Sequence, residues 1–389
     1  MEETNKSVLD DCFTSAMALT ESGVLRVPTR YILPPSQRPM LGSSSGTDTI
    51  TLPVIDLSLL HDPLLRPCVI HEIKMACKGF GFFQYLGFIK STLHYCINCI
   101  PFIQHITLRS KLISLQIINH GISSSVVKDA LDAATKFFDL PVDEKMLLGS
   151  DNVHTPVRYG TSFNHSTDKV HYWRDFIKHY SHPLSKWIDL WPSNPQCYKE
   201  KVGKYAEAAH VLHKQLIEAI SESLGLEKNY LEEEIEEGSQ VMAVNCYPAC
   251  PEPDIALGMP PHSDFGSLTI LLQSSQGLQI MDSNNNWVSV PYIEGALIVQ
   301  LGDQVEVMSN GIYKSVVHRV TVNKDFKRLS FASLHSLPMH KKISPASQLV
   351  NENKSAAYGE FSFNDFLDYI SSNDITQQRF IDTLRKNKF

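Results

Sequence analysis

The stretch QVMAVNCY, residues 240–247, marks a change in the character of the chain. From here short runs rich in Val, Ile, Leu and Thr follow one another at 267–273, 277–281, 287–291, 296–301, 304–308, 314–322 and 327–334. PACPEP (248–253), Asp282–Asn286 and Ser309–Gly311 separate them with residues that favour turns. Closely spaced strands with no helical pattern between them predict an antiparallel sandwich or barrel such as a jelly roll.

Upstream the periodicity is different. Val202, Tyr205, Ala209, Leu212, Leu216, Ile220 and Leu224 recur every three or four residues and predict a long helix over 198–224 that buries one face. Ser123–Ser125 can cap a second helix over 123–138, which Pro141 closes. A third helical pattern covers about 70–78, and LPVIDL (52–57) and GFFQ (81–84) have strand character. The expected fold is mainly β with flanking helices: a distorted double-stranded β-helix (jelly roll) core with a helical N-terminal region. The boundaries that follow are a polar N-terminal extension at 1–50 with a GSSSG linker at 42–46, an N-terminal region at 51–165, a helical scaffold at 166–235, a jelly-roll domain at 236–340, and a C-terminal helical lid at 341–389.

Composition narrows the function classes. A net charge of −7 over 389 residues argues against general affinity for nucleic acid or anionic membranes. Eight scattered cysteines (Cys12, Cys68, Cys77, Cys96, Cys99, Cys197, Cys246, Cys250) read as reduced thiols rather than a disulfide framework. The acidic N-terminus MEETNKSVLDDC lacks a signal-peptide core, and charges interrupt the apolar-leaning stretch 85–116. The expectation is a cytoplasmic protein, a monomer, with a small-molecule substrate and neither nucleic acid nor membrane as partner.

Chemistry concentrates around PPHSD, residues 260–264. A His-x-Asp pair alone is weak, because chance supplies such pairs. His318 adds weight: it stands inside the strand pattern KSVVHRV (314–320), where a buried imidazole needs a partner. Two histidines and one carboxylate make the facial triad of non-haem Fe(II) oxygenases, which leaves three metal positions open. Ten residues on, RLS (328–330) lies on the next strand. Alternation puts Arg328 and Ser330 on one face, two donors suited to a carboxylate.

The segments NCYPACPEP (245–253), HSDFGSLT (262–269), QGLQ (276–279), GDQ (302–304), SNG (309–311), SVVHR (315–319) and RLS (328–330) resemble the plant Fe(II)/2-oxoglutarate-dependent dioxygenases of specialised metabolism, the flavanone hydroxylases among them. The likeness runs from about Leu52 to Pro338. It implies iron on His262, Asp264 and His318, and the distal carboxylate of 2-oxoglutarate on Arg328 and Ser330, with Tyr247 and Asn245 beside them. Fe(II), 2-oxoglutarate and O2 would be the cofactors, with ascorbate as reductant. The products would be succinate, CO2 and an oxidised, most simply hydroxylated, aromatic or polycyclic small molecule. By position in the resemblance, Tyr159, Phe163, Tyr172, Trp173, Phe331, Leu334 and His335 are candidates for the substrate pocket, and Arg174 is expected to pair with a carboxylate. Cys246, Ala249 and Ser263 depart from the common pattern outside the proposed ligands. Leu334 stands where the flavonoid enzymes often carry Phe, which weakens assignment to flavonoids.

One interruption is unlike the family. Members read directly from GFFQ into IINHG; here 81–84 and 117–121 are separated by 85–116, rich in Ile, Leu and Cys with little charge. The stretch is a poor solvent-exposed loop and longer than connections in compact domains normally are. It is read as a translated, retained intron, and its Cys96-Ile97-Asn98-Cys99 as a chance Cys-x-x-Cys. Two alternatives to the hydroxylase stay open: a same-fold iron oxidase that does not use 2-oxoglutarate, and a non-catalytic small-molecule binding protein.

Overall fold

The computed structural model describes residues 15–39, 53–78, 114–162, 168–373 and 378–386. The GSSSG run, the GFFQ strand, the Cys-x-x-Cys pair and Phe163 lie outside the described residues.

Among the described residues, twelve strands form two sheets. They are β1 (Val54–Asp56), β2 (Ser114–Ile118), β3 (Val157–Thr161), β4 (Asp175–His182), β5 (Ser239–Tyr247), β6 (Met259–His262), β7 (Leu268–Gln273), β8 (Leu278–Met281), β9 (Trp287–Ser289), β10 (Leu297–Leu301), β11 (His318–Val320) and β12 (Arg328–Ser336). The larger sheet runs β1-β2-β10-β7-β12-β5-β4-β3 and the smaller β6-β11-β8-β9. Leu271, Ile298 and Ala332 of the larger sheet meet Leu278, Ile280 and Val288 of the smaller in one apolar cluster, so the two sheets close face to face. The expected β-helix core is the observed one.

The helices are α1 (Ala16–Glu21), α2 (Arg66–Cys77), α3 (Ser124–Phe138), α4 (Val142–Met146), α5 (Leu184–Trp187), α6 (Tyr198–Leu224), α7 (Glu232–Glu236), α8 (Asp303–Met308), α9 (Phe363–Ser372) and α10 (Phe380–Leu384). Ser123 caps α3 by accepting from Val126 N at 3.3 Å. In α6 the predicted stripe is buried from Val202 to Ile220 and half-buried at Leu224, and Gly225 ends the helix at φ +81°, a left-handed position glycine takes without strain. With α2 and α3, α6 covers the outer face of the larger sheet, and the main core lies between them.

Several elements differ from the sequence reading. Residues 304–308, read as a strand, form α8; every residue of that helix is buried, and Gln304-Val305-Glu306-Val307 alternates polar and apolar side chains as a strand does. The 314–322 run contributes only β11. The 166–235 scaffold includes β4, which joins the large sheet beside β5. Within the 1–50 extension, residues 15–39 are not a solvated tail. Ala16, Met17, Tyr31 and Leu33 are buried, and Asp175 Oδ1 accepts from Ala16 N at 2.9 Å.

β2 bears on the interruption. Its first residues, Ser114 to Gln116, come from the anomalous stretch, yet all three pair with β10, and Gln116 also pairs in parallel with Val54 of β1. Gln116 Nε2 donates to Pro291 O at 2.8 Å.

Candidate active site

The mouth between the sheets is built by β6 and β11. Their register pairs His262 directly with His318, and the chain turns after β6 to bring Asp264 between them. Both imidazole Nε2 atoms stand 3.7 Å from Asp264 Oδ1. The ring centroids are 4.2 Å apart. Each ring is oriented from behind by a backbone carbonyl: His262 Nδ1 lies 2.8 Å from Pro260 O, and His318 Nδ1 3.2 Å from Val316 O. A carbonyl only accepts, so each Nδ1 carries the proton and each Nε2 offers a lone pair to the same centre. Asp264 Oδ2 is buried with no hydrogen-bond partner among the described residues. Burial, with His318 next to it, pushes His262 down to about 4, so its ring is neutral at physiological pH.

A second polar group faces the same space from β12 and β5. Arg328 opposes Tyr247 and Ser330 opposes Asn245 in register. Arg328 Nε donates to Ser275 O at 3.0 Å and Nη2 to Gln273 Oε1 at 2.9 Å, while Nη1 is buried without a partner among the described residues. The guanidinium also lies 5.1 Å from the Tyr247 ring centroid. A Cβ at Gly277 would sit 3.0 Å from Arg328 Cδ, so the close approach of that turn needs glycine. Asn245 Nδ2 donates to Ser330 Oγ at 3.4 Å. Thus a fixed, buried cation with one free N–H edge stands beside a hydroxyl, within a cavity of about 230 Å³ shared with the two histidines and Asp264.

This arrangement has known counterparts. The sequence model of the 2OG-Fe(II) oxygenase superfamily matches residues 238–336, and that of the non-haem dioxygenase in morphine synthesis N-terminal region matches 114–194. Flavanone 3-dioxygenase 3 of Oryza sativa subsp. japonica is 41% identical over 338 residues, 86% of this chain and 93% of that protein. This chain belongs to the 2OG-Fe(II) oxygenase superfamily. Protein DOWNY MILDEW RESISTANCE 6 of Arabidopsis thaliana is 34% identical over 366 residues, 93% of this chain and 96% of that protein. The crystal structure of JOX2 in complex with 2OG, Fe and JA superposes with a TM-score of 0.79 at 28% identity, covering 97% of this chain and 99% of that one. The oxygenase is therefore a 2-oxoglutarate-dependent dioxygenase that uses Fe(II), 2-oxoglutarate and O2.

The substrate candidates divide by strand face. In the oxygenase Leu334 lines the cavity, together with Phe176, Met259, Phe265, Leu271 and, from the C-terminal helices, Phe363, Phe366, Leu367, Ile370 and Phe380. Phe331 and His335 occupy the opposite face of β12: Phe331 packs on Tyr205 of α6 at 5.5 Å, and His335 stacks on His213. Tyr159 is also in the core, its hydroxyl donating to Asp175 Oδ2 at 2.9 Å. Tyr172 and Trp173 pack with Leu257 and Tyr31 rather than against the cavity. These five are corrections to the pocket expected from position alone; strand alternation already separates Phe331 and His335 from Ser330. Arg174 differs too. It lines the cavity and donates to Ser162 O and to Asn245 Oδ1 (3.1 Å), while Asp175 is engaged by Tyr159 and Ala16.

Residues that motif reading did not single out include Lys178 and Phe176, on the cavity face of β4. Lys178 Nζ donates to Val153 O at 2.8 Å, and burial beside Arg158 pushes the amine down to about 7. Gln273, which holds Arg328, was also missed; its signal was its place on the strand next to β12.

Proposed function

We propose that the oxygenase oxidises, most simply hydroxylates, a small aromatic or polycyclic specialised metabolite, with iron held by His262, Asp264 and His318. The observation that carries the ligand assignment is the convergence of two Nε2 lone pairs on the buried Asp264 carboxylate, whose other oxygen has no partner among the described residues. Imidazole and carboxylate together suit Fe(II), and three protein ligands leave positions for cosubstrate. Arg328 Nη1 and Ser330 Oγ would take the distal carboxylate of 2-oxoglutarate, with Tyr247 and Asn245 closing that end.

Bound iron and 2-oxoglutarate supply the oxidation: O2 is consumed, 2-oxoglutarate leaves as succinate and CO2, and one oxygen atom enters the substrate. The chain supplies position. Pro260 O and Val316 O hold the imidazoles in one tautomer, and Gln273 and Ser275 hold the guanidinium so that binding does not spend its rotamer freedom. The Phe363, Phe366 and Phe380 rings cover the cavity from the C-terminal side and exclude water, the part of a lid.

The apolar, aromatic lining supports an aromatic substrate, and relatives named flavanone 3-dioxygenase support the specialised-metabolite class. Leu334 in place of a ring argues for a shape other than that of the flavanone enzymes. Ascorbate would serve as the reductant that keeps the iron ferrous. No helix of the described residues is long and apolar enough to cross a membrane. A monomer in the cytosol is the simplest setting, although one relative is named a chloroplastic dioxygenase.

The test is a panel of flavonoids, coumarins, phenolic acids, indoles and terpenoids incubated with Fe(II) and 2-oxoglutarate. Substrate-stimulated succinate is the expected result. Oxidation of a substrate without succinate would instead identify an oxidase that bypasses 2-oxoglutarate. Absence of stimulation across the panel, with iron retained, would favour a binding protein.

A further inference from the structure

Behind the large sheet, on the side away from the cavity, a second group of three ligand-type side chains converges. His210 and His213 lie one turn apart on α6, and His335 projects from β12 toward them. One ring nitrogen from each falls within 4.8 Å of the others. His213 is 3% exposed and His335 1%, while His210 is half-buried and opens the group to solvent. His182, at the end of β4, stacks on His210 at 3.8 Å and 10°, and steadies that ring.

The hydrogen bonds settle the His213 tautomer. Ser267 has one hydroxyl proton, and it is donated to His335 O at 3.0 Å. Ser267 Oγ must therefore accept from His213 Nε2, 3.1 Å away, so that Nε2 carries the proton. His213 Nδ1 is left as a bare lone pair, buried, and without a partner among the described residues. His210 Nδ1 is likewise buried and unpartnered. A buried acceptor on His213 without a partner among the described residues is costly unless something electron-poor joins it. A neutral imidazole with a bare ring nitrogen is the form that binds metals.

We propose that His210, His213 and His335 form a second metal site, for a divalent late-transition cation such as zinc, cobalt or nickel. Three imidazoles with no carboxylate or thiolate suit that class rather than calcium or magnesium. The Ser267 hydroxyl behind His213 is the outer partner that orients a metal-binding histidine. The His213 and His335 rings are stacked at 4.2 Å and 6°, so coordination also requires the His335 ring to turn about χ2, a soft torsion for histidine, while His213 keeps its bond to Ser267. The ion would tie α6 to β12 and thus the helical layer to the sheet that carries Arg328.

The site is tested on the full chain by equilibrium dialysis against Co(II), with bound metal counted per chain and the visible ligand-field spectrum recorded. Two ions are expected in the native protein, one in His213→Gln, one in the His262→Ala/His318→Ala double variant, and none when the three changes are combined. Should His213→Gln fail to fold by circular dichroism, the half-buried His210→Gln must show the same loss of one ion. A native chain with a single ion overturns the proposal. So does a second ion that survives both the His213→Gln and His210→Gln changes, or one whose spectrum shows thiolate charge transfer. Because the double variant keeps this site and loses the other, failure here is distinct from failure of the iron assignment.

Discussion

The two faces of β12 carry different residues to different ends. Inward, Arg328, Ser330, Ala332, Leu334 and Ser336 line the cavity shared with His262, Asp264 and His318. Outward, Phe331 and His335 lock the sheet to Tyr205 and His213 of α6. A buried aromatic or histidine in this strand is thus not evidence of substrate contact; the face on which it falls decides. A slip of one residue in register would exchange the two sets, and the nine paired positions with β5 hold the register against it.

The comparison is broken most severely at the inner side. His318→Ala removes one of three converging ligands, and activity is expected to fall by more than about 100-fold, the upper range seen when only an outer partner of a ligand is lost. Iron content measured on the purified variant should fall with it. Full activity with iron retained would overturn the ligand assignment.

On the outer side the effect should be on stability. Phe331 is fully buried, and Phe331→Ala is expected to cost about 3–5 kcal/mol in urea unfolding. KM for 2-oxoglutarate in the folded fraction should not change. A variant of normal stability with an altered substrate preference would put Phe331 back into the pocket.

Arg328→Lys tests the anion end. A lysine keeps the charge but loses the fork that Gln273 and Ser275 hold. KM for 2-oxoglutarate should rise on the order of 10–100-fold, the worth of about one or two charge-assisted hydrogen bonds, with melting temperature little changed. Leu334→Ala, three pleat repeats from Arg328 on the same face, should act on the organic substrate instead. Its KM is expected to change roughly 10-fold, in line with loss of apolar contact in a pocket, with 2-oxoglutarate binding left intact. An equal effect on both ligands would show that the two ends of the cavity are not separate.

How much of this could be read beforehand depended on period and spacing. α6 was legible from Tyr198 to Leu224 because one face meets the sheet and the other meets water, which writes a 3.6-residue period into the sequence. α8 was illegible for a different reason: buried all round, it alternates polar and apolar side chains in QVEV as a strand would. The His262, Asp264 and His318 triad was legible because local spacing and strand context both mark it. The His210, His213 and His335 group was not, since it joins a helix to a strand more than a hundred residues away and only folding brings the rings together. The cavity wall from β4, with Phe176 and Lys178, was hidden for the same reason, as were Phe363 and Phe366 behind it.

The smallest effect is expected where the sequence looked most damaged. Deleting 85–116 joins Gln84 to Ile117, so that Phe82, Phe83 and Gln84 stand in chain order where Ser114, Leu115 and Gln116 stand now. The residue at the position of Gln116 stays glutamine, and its amide can keep the bond to Pro291 O. Phenylalanine has a higher strand preference than serine or leucine, so β2 should pair with β1 and β10 at least as well as before. Shortening the connection between α2 and β2 also lowers its closure cost, though only slowly with length. The shortened chain is therefore expected to melt within a few degrees of the full one or above it, with iron and 2-oxoglutarate binding unchanged, because β2 carries none of the cavity residues. A clear loss of melting temperature, or failure to fold, would mean that residues 85–113 contribute to the fold and would sink the reading of the stretch as a retained intron.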